Sequence, residues 1–199
     1  MTTRTEIDRR TALQYLLAAG LAGTPAAALL TGCTGNERPR LGAGMSGGPM
    51  PDWMMSSGEM DSGMARAMPV IQQLLVAHEE IRRDVQDIPN GVRSRTTSGD
   101  GDIAELIRTH VHQMRTRIDR GNPIRQMDPL FRELFKHSDA ITMQVTDLPD
   151  GVQVVETSAD PQVQLLIRQH AYRAVSEFVA KGMARAMRPT PLPPGYRSS

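Results

Sequence analysis

The chain has 199 residues, room for one ordinary domain plus tails. Lys+Arg 23 stand against Asp+Glu 22, which leaves no basic footprint for nucleic acid, and aromatics at 4% are too few for base-stacking platforms. A single cysteine excludes a disulfide within the chain, so the domain relies on its core.

Residues 1–14 carry charge, and "YLLAAGLAGTPAAALL" follows as a short apolar run broken by Pro25. That run is too short for a membrane-spanning helix and suits the core of a signal peptide. It closes at Leu30-Thr31-Gly32-Cys33, which resembles the lipobox of bacterial lipoproteins. The resemblance implies that residues 1–32 are a cleaved signal and that Cys33 is the lipidated first mature residue. Asp8-Arg9-Arg10-Thr11-Ala12-Leu13-Gln14 also resembles a twin-arginine export motif. Arg9, Arg10 and Leu13 fit, whereas Ala12 stands where phenylalanine is usual. These resemblances imply a cell-envelope protein, held by lipid on the periplasmic or extracytoplasmic face of a membrane.

Residues 33–67 are rich in Gly, Ser, Pro and Met with little apolar periodicity, and read as a tether. At the far end, residues 188–199, "RPTPLPPGYRSS" form a proline-rich tail that is not expected to pack.

Between these lies a duplication. A shift of 60 places residues 81–110 on 141–170 without a gap. Identities run from Ile81/Ile141 through Asp87/Asp147, Gly91/Gly151, Ser98/Ser158 and Asp100/Asp160 to His110/His170, thirteen in thirty positions. Upstream a shift of 59 brings Met68 onto Met127 and His78 onto His137. Two units therefore fill the domain, residues 68–126 and 127–187. In the pattern "GVxxxxTSxD…LIRxH" the domain resembles small exported bacterial proteins, a resemblance that implies no activity.

Each unit has the same layout. "PVIQQLLVAHEE" and "DPLFRELFKHSD" place apolar residues at helical spacing. "IRRDVQDIPNGVRSRTTS" and "ITMQVTDLPDGVQVVETS" read as hairpins, with Pro-Asn-Gly and Pro-Asp-Gly turns whose glycines can take positive φ. A second helix then starts at Asp100 or Asp160, since aspartate caps free N–H groups and Pro161 suits a first turn. The expected fold is α+β: two helix–β-hairpin–helix units, a four-stranded antiparallel sheet packed with four helices, and a pseudo-twofold.

Four of the five histidines form matched pairs, His78 with His137 and His110 with His170, all on apolar helix faces. Imidazole ligates metals and haem and is costly to bury unpaired, so four in register point to ligand duty or to a repeated structural bond. One site per unit and one central site across the pseudo-twofold both fit the spacing. His112, with Tyr172 opposite, reads as a solvated histidine.

Met45, Met50, Met54, Met55, Met60, Met64 and Met68 crowd 24 residues of a polar stretch, and Met114 lies on the same face as His110. Thioethers are soft ligands suited to Cu(I), and Met60, Met64 and Met68 would share one face of a helix. The bland alternative is an apolar tether that covers the domain. There is no HExxH, CxxC or CxxCH, and Ser98, Ser158, Asp100 and Asp160 suit helix caps better than catalysis. Nothing requires an enzyme. The reading is a lipid-anchored protein that binds copper first, or haem second, for handling or electron transfer with an exported redox or metal-handling partner. Its rival is a metal-free interaction module with structural histidines.

Overall fold

The computed structural model describes residues 62–198. Helix α1 spans Ser62–Val76 and passes through a 3-10 turn, His78–Glu80, into hairpin β1 (Ile81–Ile88) and β2 (Gly91–Ser98). Helix α2 (Gly101–Asp119) and helix α3 (Pro129–Lys136) follow. A second 3-10 turn, Ser138–Ala140, leads to hairpin β3 (Thr142–Leu148) and β4 (Gly151–Thr157). The last helical stretch is mixed: α4 (Pro161–Gln169), a π-helical turn (His170–Val175) and α5 (Ser176–Ala186), which kinks at Gly182. The class is α+β, with a four-stranded antiparallel sheet in the order β1-β2-β4-β3 and four helical segments against it.

Local chemistry starts the helices where expected. Asp100 Oδ1 accepts from the N–H groups of Asp102 and Ile103, and Asp160 Oδ1 from that of Gln162 at 2.7 Å. Ser98 and Ser158 in turn accept from the backbone N–H of Asp100 and Asp160, each at 3.1 Å. Both serines and both aspartates are cap residues.

The two hairpin turns differ: Gly151 takes a positive φ of 151°, as expected, whereas in the first turn the residue before the glycine does so. Asn90, not Gly91, takes the left-handed φ of 66°. Glycine is needed at 91 for another reason. A Cβ there would drive into the Glu156 carbonyl, and one at Gly151 into the Thr96 carbonyl, because the backbones of the paired strands β2 and β4 approach closely at both ends of their ladder. Their register pairs Gly91 with Thr157 and Thr97 with Gly151.

One sheet face is polar and open, with Arg82, Asp84, Gln86, Arg93 and Arg95 exposed along it. The other carries the core, and the packing there is crossed. Ile103 and Ile107 of α2 lie on Val152 and Val154 of the second hairpin. Val163 and Ile167 of α4 lie on Val92, beside Val85, of the first. Arginines seal the exchange: Arg108 Nη1 donates to the Leu148 carbonyl at 2.9 Å, and Arg168 Nη2 to the Ile88 carbonyl at 3.4 Å.

Two boundaries are corrected. The tether limit at residue 67 falls inside α1, where Ala67 is fully buried and Met64 packs on the core. Pro69 misleads because proline usually marks a first turn, whereas here it sits mid-helix. The tail also packs. Thr190 is fully buried with its N–H on Asp128 Oδ2 at 2.9 Å, Gln169 donates to the Pro191 carbonyl at 2.8 Å, and Tyr196 donates to Glu133 Oε2 at 2.6 Å. Prolines lack an N–H, so an extended proline-rich strap has few donors to satisfy and can be held by side chains alone.

Candidate functional site

The four repeated histidines separate into two kinds. His78 follows the end of α1, and its Nδ1 lies 2.9 Å from the Val179 carbonyl. Its ring rests on Gly182, which has φ 53° and no room for a Cβ. His137 is the C-cap residue of α3, with Nε2 3.2 Å from the Tyr196 hydroxyl. These two are held by protein hydrogen bonds at helix ends. Neither lies on a helix face as their spacing had suggested: each helix stops one residue or more before its histidine.

His110 and His170 behave differently. Both line a cavity of about 230 Å³ between the sheet and the helices. His110 comes from the middle of α2, and His170 opens the π-helical turn. That turn inserts one more residue per turn than an α-helix does, a feature often found at functional positions, and α2 has no counterpart to it. The Phe131 ring meets His170 edge-on, with centroids 5.5 Å apart. His110 Nδ1 is buried with no hydrogen-bond partner, an unusual condition for an interior polar atom.

The cavity wall is soft and apolar. Met64 and Met68 reach it from α1, Met114 from α2 and Met143 from β3, with Phe131 and Phe178 beside them. Met64 and Met68 thus share a helix face as their spacing predicted, and Met114 joins them. Cys33, Met54, Met55 and Met60 lie outside the described residues. So does the signal region, and among the described residues no helix is long and apolar enough to cross a membrane.

The sheet supplies charges to the same cavity, and here sequence reasoning missed two residues. Arg83 of β1 and Glu156 of β4 line it together with Ser94 and Thr96. Arg83 donates to Thr96 Oγ1 at 2.6 Å and to Ser176 Oγ at 3.3 Å. The signal was available in the alternation. Arg83 stands between Ile81 and Val85, and Glu156 follows Val152 and Val154, so both occupy inward positions of a half-buried strand.

Burial decides the charge states. It lowers the His110 pKa to about 4, helped by His170, and that of His170 to about 4, helped by the Arg83 charge and opposed by Asp128. Both imidazoles are therefore neutral at pH 7, with a lone pair each. Burial raises the Glu156 carboxyl, against the pull of Arg83. It lowers Arg83 to about 10, against Glu156, which leaves the guanidinium charged at pH 7. Glu156 Oε1 is 3.9 Å from His170 Nδ1, too far for a hydrogen bond, and with the ring neutral the contact is no ion pair.

Among the described residues no group of three or more His, Cys, Asp or Glu is arranged to hold a metal ion. Any metal here would need thioethers as well as the imidazoles. His112 is exposed and bonds to Asp147 Oδ1 at 2.8 Å, while Tyr172 donates to Asp87 Oδ1 at 3.3 Å. The two aspartates thus tie helices to hairpins. The chain matches no protein-family profile, no curated protein and no solved structure.

Proposed function

We propose that this chain is a cell-envelope lipoprotein, anchored through Cys33, whose domain binds copper(I) through His110 and His170. One observation carries the reading: two neutral imidazoles enter a single cavity whose wall also offers the thioethers of Met64, Met68, Met114 and Met143. Imidazole and thioether are ligands Cu(I) favours, and neither carries a proton to be displaced at pH 7. The orphan Nδ1 of His110 further supports a missing partner. Haem, the second candidate, suits the cavity poorly. An engineered cavity of about 150 Å³ takes benzene, so this one takes about nine heavy atoms, far short of a porphyrin.

The role in this reading is handling or electron transfer with an exported partner, with no turnover. Its architecture is a tandem duplication about a pseudo-twofold, which the central register supports: a shift of 60 converts the Gly91–Thr157 pair into the Gly151–Thr97 pair. Equivalent ties support it too, Arg108 with Arg168 and His112–Asp147 with Tyr172–Asp87. His110 and His170 then form the central site of the two arrangements their spacing allowed.

The test is elemental analysis of the full chain purified from envelopes without chelator or histidine tag, followed by Cu(I) titration against a competing chelator. Stoichiometric copper, lost in a folded His110→Ala/His170→Ala variant and kept in His137→Ala, supports the site. A metal-free protein that takes up no Cu(I) overturns it. The rival reading, a lipid-anchored interaction module, draws support from His78 and His137, whose bonds are structural.

A further inference from the structure

The cavity is larger than a metal ion needs. Its volume suits an organic molecule of about nine heavy atoms by the benzene comparison. Its wall of Met64, Met68, Met114, Met143, Phe131 and Phe178 selects the body of such a molecule. Thioether sulfur sits favourably at the edge of an aromatic ring, and two phenyl rings already line the space.

The polar end selects the head group. Arg83 is fixed by Thr96 and Ser176, and Glu156 lies within its field without a direct ion pair between them. Both histidines are neutral and Arg83 is charged, while burial raises the Glu156 carboxyl against the pull of Arg83. An organic cation placed there meets the Arg83 charge, and an organic carboxylate has to share Arg83 with the Glu156 carboxyl. A hydroxyl suits both, since it accepts from the guanidinium and donates to the carboxylate or an imidazole nitrogen. The buried, unpartnered Nδ1 of His110 shows that the hydrogen bonding of this end is incomplete within the described residues.

We infer that the cavity is a binding site for an uncharged monocyclic phenol, its ring among the methionines and phenylalanines and its hydroxyl between Arg83 and Glu156. The site goes beyond the copper reading and does not rest on it, because the ring fills apolar volume that an ion leaves empty.

The experiment is calorimetric titration of the metal-stripped full chain with 4-ethylphenol, ethylbenzene and benzoate. One 4-ethylphenol binds per chain with a Kd below about 1 mM, at least about tenfold tighter than either analogue. Arg83→Met weakens 4-ethylphenol about tenfold and leaves ethylbenzene unchanged. Thr96→Val, nearly isosteric, loosens Arg83 and gives the same direction should Arg83→Met not fold. Absence of 4-ethylphenol binding to folded protein overturns the site. So does equal or tighter binding of either analogue, or a hydroxyl preference that survives in a folded variant. Because the protein is metal-free, neither result depends on whether copper binds.

Discussion

Replacing Asp128 with alanine tests whether the interior is held as described. The carboxylate is fully buried and makes four bonds. Oδ1 caps α3 by accepting from the N–H groups of Leu130 at 3.1 Å and Phe131 at 3.4 Å. Oδ2 accepts from Arg125 Nη2 at 3.1 Å and from the Thr190 N–H at 2.9 Å. Loss of the cap costs about 1 kcal/mol. Breaking a buried ion pair costs about 3–5 kcal/mol, since Arg125 keeps its charge in a site with little water. The terms overlap, so Asp128→Ala should lose about 4 kcal/mol, a large share of a domain stability of about 5–15 kcal/mol. Asp128→Asn separates the parts. It keeps an acceptor for the cap but turns an amide donor toward two other donors, and should lose about 2–3 kcal/mol. Urea unfolding followed by far-UV circular dichroism at pH 7 measures both. The tail gives a second readout, because releasing Thr190 should speed chymotryptic cleavage at Tyr196, which Arg197 follows. A loss below about 1 kcal/mol for Asp128→Ala, with the tail still protected, would refute this account of the interior.

Gly91→Ala should cost about 3 kcal/mol or more, because its Cβ has no space against the Glu156 backbone, whereas Gly99→Ala, in open space, should be neutral in thermal unfolding. Stability should also depend on His110 and His170, whose pKa values fall from 6.5 to about 4 on folding. The unfolded chain binds more protons in that window, so stability is full above pH 6.5 and falls as pH drops to about 4, by about 3 kcal/mol per histidine. Urea midpoints across pH 4–7 should be flatter for a folded, metal-free His110→Ala/His170→Ala variant, and equal slopes would contradict the burial of the rings. Finally, Cys33→Ala should release the protein from membranes on fractionation, and unchanged membrane association would contradict the lipobox.

Periodicity and turn chemistry made the hairpins and helix starts legible, because each depends on neighbours in sequence. Alternation along Met143 and Val145 and the caps at Asp100 and Asp160 are local facts. The crossed packing was not legible, since nothing in Ile107 says which hairpin it will meet. Arg83 and Glu156 escaped notice for a related reason. A charged residue in a strand reads as solvent-facing unless its phase is followed through Ile81 and Val85 or Val152 and Val154. The histidines were half legible: repetition marked all four, but only tertiary contacts distinguish His78, on the Val179 carbonyl, from His110, with its unpartnered nitrogen. The tail looked inert because its anchors, Asp128 and Glu133, are distant in sequence.

The exchange of helices between hairpins makes the core a joint possession of the two halves. A chain divided in the connection between α2 and α3 leaves Ile103 and Ile107 in one fragment and their partners Val152 and Val154 in the other. Neither piece can bury its own apolar face. Co-expressed, the fragments should reassemble into one domain, so the protein can serve as a split pair whose halves gain structure only on meeting.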